Sequence, residues 1–222
     1  MSALAMGLVV LVASPAAGQS VDQVGRLMSQ WQIQEAGQML DQLKASRPEA
    51  PGVQFVQARY DFLMGRYGEA LARIDQLLNN TDANGEWQRF RDMVAQTKEV
   101  TAEYDKYTSD SGRFEIYVEP GKDRVLVPYA MEALERAYEA IGEELGHRPP
   151  TPIRVEVYPR TSTLAKVSGL TDKEIRTSGT IALCKYNRLM ITSPKALLKG
   201  YGWVDTLIHE YIHFVINSKT SN

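Results

Sequence analysis

The feature that most constrains this chain is an apolar helical segment near its end with two histidines four residues apart. Residues 203–217 carry His209, Glu210 and His213 in the pattern H-E-x-x-H. Residues i and i+4 of an α-helix lie on one face, about one turn apart, so both imidazoles can reach one point. Zinc readily binds neutral imidazole, and the neighbouring glutamate can act as a general base. The motif therefore predicts two zinc ligands, His209 and His213, and one catalytic residue, Glu210.

Apolar residues surround this motif on most of the helix surface, which predicts a buried helix. These residues are Val204, Leu207, Ile208, Ile212, Val215 and Ile216. Burying two histidines and a glutamate is costly unless something pairs them, and a metal ion would do so. The alternative is that ordinary hydrogen bonds satisfy the three polar side chains.

A catalytic zinc ion normally has three protein ligands, and the motif provides two. The nine residues after His213 contain no His, Cys, Asp or Glu. Asp205, one turn before His209, and Glu174 further upstream could complete the site only if the fold brings them there. We therefore expect either a fragment that stops short of its third ligand or a protein that has lost it.

Composition and charge are those of an ordinary globular protein. The chain has 222 residues, of which 44% are hydrophobic and 23% charged, and its net charge is −2. This balance gives no electrostatic reason to expect binding to nucleic acid. The single cysteine, Cys184, excludes an internal disulfide and is expected to be a small buried side chain.

The N-terminus has the pattern of an export signal. Residues 3–13 form an apolar run that is too short to span a bilayer comfortably, and small residues follow it. We interpret residues 1–18 as a signal peptide and predict an exported protein, periplasmic or secreted. No later segment is apolar over a sufficient length, so we expect no stable membrane span.

Residues 19–108 have a helical pattern that repeats at a spacing of 34 residues. Glu35-Ala36 aligns with Glu69-Ala70, and similar residues follow each pair. A period of 34 resembles that of the tetratricopeptide repeat, a helix–turn–helix unit. We predict a tetratricopeptide-like domain over residues 19–108, closed by a helix from Trp87 to about Tyr107. Such helices could bind a protein partner or serve as a spacer packed on the next domain.

From about residue 113 the apolar period becomes that of strands. Phe114, Ile116 and Val118 alternate with polar residues, which is typical of a half-buried strand. The later pattern predicts a helix over residues 125–145, strands over 153–157, 178–184 and 189–192, and short helices between the second and third strands. The last two strands form a hairpin. The predicted fold class is α+β, with helical hairpins followed by a mixed sheet whose last helix carries the motif.

Residues 113–222 resemble the N-terminal part of the peptidase MA-like domain, a gluzincin zinc metallopeptidase that bacteria often fuse to tetratricopeptide repeats. The resemblance rests on H-E-x-x-H and on the hairpin that ends at Arg188–Pro194, shortly before the motif helix. It implies zinc-dependent hydrolysis of a peptide or protein substrate, with Glu210 as general base. In this fold an edge strand binds an extended substrate. We assign that role to Leu189, Met190, Ile191, Thr192 and Ser193.

Two other functions stay open on the sequence alone. One is an inactive, peptidase-like protein that acts as a repeat-based protein-binding scaffold. The other is a non-peptidase zinc hydrolase that uses the same motif. Tightly retained zinc would argue against the scaffold, and tests with different substrates would separate the two hydrolases.

Overall fold

The computed structural model describes residues 17–81 and 85–220, and its first part is helical. The helices are α1 (Ala17–Ser29), α2 (Ile33–Ser46), α3 (Pro51–Leu63), α4 (Tyr67–Asn80) and α5 (Gly85–Thr101). Turns of three residues join α1 to α2 and α3 to α4, and both pairs pack together. Ala36 and Ala70, which share one position in the 34-residue period, are fully buried. The predicted signal peptide lies outside the described residues except for its last two positions.

The turn between α3 and α4 depends on Gly65. Its backbone has φ of +73°, in the left-handed region that glycine tolerates best. A Cβ at this position would also lie 2.7 Å from Nη1 of Arg154, a strand residue. The glycine therefore allows the turn and the close approach of the sheet at the same point.

We expect Gly65→Ala to lower the free energy of unfolding by about 1–3 kcal/mol, because it combines backbone strain with a steric clash. Urea denaturation monitored by circular dichroism measures this. Gly68→Ala, in the first turn of α4, is the matched control, since a Cβ there meets no atom within 4 Å. That control should be neutral or stabilising by up to about 1 kcal/mol. If the two variants lose equal free energy of unfolding, Gly65 is not specifically required for the turn.

The second part is a five-stranded mixed sheet with helices on both faces. Its strands are β1 (Asp105–Thr108), β2 (Phe114–Val118), β3 (Ile153–Tyr158), β4 (Ala182–Lys185) and β5 (Arg188–Thr192). Their order in the sheet is β1-β2-β3-β5-β4. The inner pairs β2–β3 and β3–β5 are parallel, and the outer pairs are antiparallel. The α+β class predicted from the sequence is confirmed.

Four α-helices accompany these strands. They are α6 (Leu126–Glu144), α7 (Thr161–Ser168), α8 (Asp172–Ser178) and α9 (Trp203–Thr220), with short 3₁₀ turns at Lys122–Val125 and Pro194–Ala196. The largest apolar core lies between one face of the sheet and helices α6 and α9. Alternate residues of the strands supply it, among them Phe114, Ile116 and Val118, each at most 1% exposed. This core fixes α9 below the β5–β4 side of the sheet.

Two predicted boundaries differ from the structure. The helix expected to reach Tyr107 ends at Thr101, and residues 105–108 form β1, which pairs with β2. The sheet therefore begins before the junction expected near residue 108. The strand expected from Ser178 begins at Ala182 instead, because the preceding residues complete α8 and Gly179 ends that helix with φ of +68°.

A buried ionic cluster ties the sheet to the helical part. Glu156 of β3 and Arg188 of β5 are 0% and 1% exposed, and Nε of Arg188 lies 3.0 Å from Oε2 of Glu156. Nε of Arg154 donates to the other carboxylate oxygen at 2.6 Å. Tyr158 and Tyr67 also donate hydrogen bonds to this carboxylate. Since Tyr67 belongs to α4, the second helical pair is anchored at the centre of the sheet.

Within residues 17–81 and 85–220, none of the helices combines the length and the apolar character needed to cross a bilayer.

Candidate metal centre

Helix α9 presents the H-E-x-x-H motif on the side that faces away from the core. Its buried face consists of Trp203, Leu207, Tyr211, Phe214 and Val215. Nε1 of Trp203 donates to the carbonyl of Thr192 at 3.0 Å, which fixes the start of the helix against β5. Val204, Ile212 and Ile216 are 36%, 36% and 40% exposed. The prediction that most of this helix is buried is therefore wrong, because only one face packs on the sheet and α6.

The two motif histidines converge on one point. His209 and His213 are both exposed, and their Nε2 atoms lie 3.0 Å apart. The ring centroids are 4.6 Å apart and the ring planes are nearly perpendicular, at 84°. Nitrogen ligands of a tetrahedral zinc ion lie roughly 3.3 Å apart, so the pair fits two adjacent ligand positions. The same distance also allows one neutral imidazole to donate a hydrogen bond to the other.

Glu210 lies between this histidine pair and the sheet. Its side chain is partly buried and lies beside the backbone N–H of Cys184 in β4. Burial raises the pKa of the Glu210 carboxyl, and this effect outweighs the opposing influence of His213, His209 and the Cys184 N–H. A carboxyl group with a raised pKa is better suited to exchange protons near neutral pH than an ordinary surface glutamate.

Strand β4 is the free edge of the sheet on this side. Among the residues that the structure describes, it pairs only with β5, in a register that places Ala182 opposite Ile191 and Cys184 opposite Leu189. The N–H of Thr192 donates to the carbonyl of Ile181, and hydrogen-bonded pairs alternate along an antiparallel ladder. The backbone groups of Ala182 and Cys184 consequently point away from β5. Glu210 lies beside one of these outward groups, the N–H of Cys184.

The substrate strand predicted at Leu189, Met190, Ile191, Thr192 and Ser193 is not at an edge. Strand β5 pairs with β3 on one side and with β4 on the other, and all five of these residues are buried. The backbone groups of β5 already form hydrogen bonds with β3 and β4, so they cannot pair with an added peptide. The prediction of an edge strand there is wrong, and the edge position belongs to the preceding strand of the same hairpin. The two-residue turn of that hairpin, Tyr186-Asn187, has positive φ at both residues, as its tight geometry requires.

The other candidate ligands do not join the motif. Glu174 forms the capping box of α8 with Thr171, and Asp205 is exposed in the first turn of α9. Nε2 of His147 lies 2.5 Å from Oγ of Ser218, near the C-terminal end of α9. Among residues 17–81 and 85–220, no three or more His, Cys, Asp or Glu side chains come together in a way that could hold a metal ion.

The sequence did not indicate that Cys184 lies next to Glu210 of the motif. Its side chain is partly buried, and Nδ2 of Asn217 lies 3.9 Å from its Sγ. Burial and the charge of Glu210 raise the pKa of the thiol well above its ordinary value. The thiol therefore stays protonated and unreactive, as expected of a small packed side chain, while its backbone contacts the proposed base.

No family model, curated protein or solved structure matches the chain. The likeness to peptidase MA-like domains accordingly rests on the motif and on the order of the secondary-structure elements.

Proposed function

We propose that this protein is a zinc-dependent peptidase of the peptidase MA-like type. The observation that carries the proposal is the 3.0 Å approach of the Nε2 atoms of His209 and His213 on an exposed helix face. A partly buried glutamate, Glu210, adjoins them. The proposal requires a third protein ligand, which no cluster in the described part of the chain supplies. It also includes export from the cytoplasm, on the strength of the N-terminal pattern.

In this proposal the metal and the protein have separate tasks. A zinc ion held by His209 and His213 would polarise the scissile carbonyl and make a nearby water more acidic. Glu210 takes the proton from the attacking water and passes it to the departing amine. Its position beside both histidines would let the same carboxyl accept the proton and then release it.

The substrate of the proposed peptidase is an extended polypeptide. The outward backbone groups of Ala182 and Cys184 offer hydrogen bonds to an added strand, and Glu210 lies directly against the second of these residues. Pairing with β4 would therefore bring a peptide bond beside the general base. The helices α1 to α4 form two packed pairs, and in this proposal they are tetratricopeptide-like units that could also hold a protein partner.

We expect the purified protein to bind zinc, and His213→Ala to weaken that binding about 100-fold or more because half of the converging pair is lost. Competition with a chromophoric zinc chelator measures both affinities. His147→Ala is the matched control, since this histidine contacts Ser218 instead of the motif. If His147→Ala and His213→Ala weaken zinc binding equally, or if neither does, the proposed centre is wrong.

A second candidate is a protein-binding scaffold without catalysis. Within the described residues the motif lacks a third ligand, and this observation favours the scaffold. The zinc titration also separates the two candidates, because a peptidase needs tight, stoichiometric metal and a scaffold needs none. A folded protein with no measurable zinc affinity would favour the scaffold.

A further inference from the structure

A cavity of about 380 Å³ lies between the helical part and the end of edge strand β4. We call it the junction cavity. Helices α1, α3 and α5 form its walls, and β4 with its following turn forms the opposite side. The lining is mainly apolar and rich in aromatic and methionine side chains, including Met28, Trp31, Phe62, Phe90, Met93 and Tyr186. The exposed residues Ser29 and Glu86 also line it, so the cavity opens to solvent.

The junction cavity adjoins the candidate metal centre through two residues. Cys184 lines the cavity, and Glu210 lies beside its backbone N–H. Asn217 also lines it and lies one turn after His213 on α9. A peptide paired with β4 beside Glu210 therefore has its next residues at the mouth of this cavity. The cavity is continuous with the edge at which the substrate would bind.

We infer that the junction cavity receives a large apolar side chain of the peptide substrate, so that the helical part selects which peptides reach Glu210. This inference rests on the proposed function, because it assumes that a peptide substrate pairs with β4. The volume lies within the range of ligand pockets and suits one large side chain. Methionine and aromatic walls accept apolar groups of different shapes, which favours Phe, Leu or Met over charged residues.

The first test compares two fluorescein-labelled ten-residue peptides that differ only at one central position, Phe or Ala. Both are titrated by fluorescence anisotropy against the full chain and against its Glu210→Gln variant. We expect the Phe peptide to bind about tenfold more tightly or better, because the phenyl group leaves water on entering the cavity. Since we expect this variant to hydrolyse peptides far more slowly, its titration measures the preference with little turnover.

The second test blocks the cavity. Ser29 is an exposed residue at its rim and the last residue of α1, so Ser29→Trp fills the mouth without changing a buried contact. Ser46→Trp is the matched control. Ser46 is the exposed last residue of α2, and both serine hydroxyls donate to the carbonyl four residues earlier. We expect Ser29→Trp to remove the preference for Phe and Ser46→Trp to keep it.

These measurements test the inferred role of the cavity separately from the proposed peptidase activity. A Phe preference that Ser29→Trp removes supports the inference even if no variant cleaves peptides, because only binding is measured. Equal affinity for the two peptides overturns it, as does a preference that survives Ser29→Trp, even if cleavage occurs. A peptide with p-benzoylphenylalanine at the central position gives an independent check. Crosslinks at Met28 or Met93 support the inference, and crosslinks confined to other regions overturn it.

Discussion

Glu210→Gln should lower kcat/KM for peptide hydrolysis by about 10²–10⁴-fold, because glutamine cannot exchange protons with the attacking water and the departing amine. Zinc affinity should stay close to that of the unsubstituted chain, since His209 and His213 are unchanged. The measurement is hydrolysis of an internally quenched fluorogenic peptide, with zinc bound to the same occupancy in each protein. A variant that loses hydrolysis but still binds zinc would show that Glu210 acts as the base and does not bind the metal.

Asp205→Asn is the control for this substitution. It removes the same charge from the same helix, one turn before His209, at an exposed position. We expect hydrolysis and zinc affinity to be unchanged. Activity that survives Glu210→Gln would contradict the role of the base. Zinc affinity that falls in Asp205→Asn would instead make this aspartate a ligand.

The second large effect is expected in stability. Glu156→Gln should lower the free energy of unfolding by about 3–5 kcal/mol, because it leaves Arg188 and Arg154 without their carboxylate partner. Arg188 is fully buried, and its guanidinium lies 4.9 Å from the ring centroid of Phe62 and 5.2 Å from that of Tyr67. Water cannot compensate for the lost charge at this depth. Urea denaturation at pH 7 measures the change.

Glu115→Gln in neighbouring β2 is the control. Its carboxylate pairs with Lys106 at 2.7 Å, but both side chains are partly exposed, at 21% and 47%. Such pairs contribute about 0–1 kcal/mol, so we expect a small loss. If Glu156→Gln costs no more than Glu115→Gln, the buried cluster does not stabilise the fold.

The pH dependence of stability gives a further check of the same cluster. Burial alone would raise the pKa of Glu156, but Arg188, Arg154 and the hydroxyl groups of Tyr158 and Tyr67 outweigh it and lower the pKa. A carboxyl group whose pKa is lowered by folding stabilises the protein above its unfolded pKa of about 4.3. That stabilisation is lost as the pH falls through the folded pKa. The difference between the unsubstituted chain and Glu156→Gln should therefore narrow below about pH 4.

Strands and helices with a clear apolar period could be predicted from the sequence. Phe114, Ile116 and Val118 face the core at every second position, and residues 126–144 bury one helical stripe. Strand β1 was missed because its four residues, Asp105 to Thr108, are exposed or only partly buried and carry no alternating apolar pattern. Its position is determined by pairing with β2, which is a tertiary contact.

The order of strands in a sheet is equally hidden from local patterns. Residues 188–192 are apolar enough for a strand, but apolar character does not tell whether β5 or β4 forms the edge. Local patterns were also insufficient for α9. Its apolar residues Val204, Ile212 and Ile216 predicted burial, but they are 36–40% exposed in the structure. The candidate site itself could be predicted more closely, because the spacing of His209 and His213 on a helix brings their nitrogens together regardless of what surrounds them.

The hydrogen bond from Tyr67 to Glu156 has a consequence for how the protein can be divided. A polypeptide cut before β1 would lose Phe62 and Tyr67, whose rings shield the guanidinium of Arg188 from solvent. In the remaining sheet, the charged side chains of Arg188 and Glu156 would be exposed to solvent on one face. We therefore expect the helices and the sheet to unfold together in one cooperative transition.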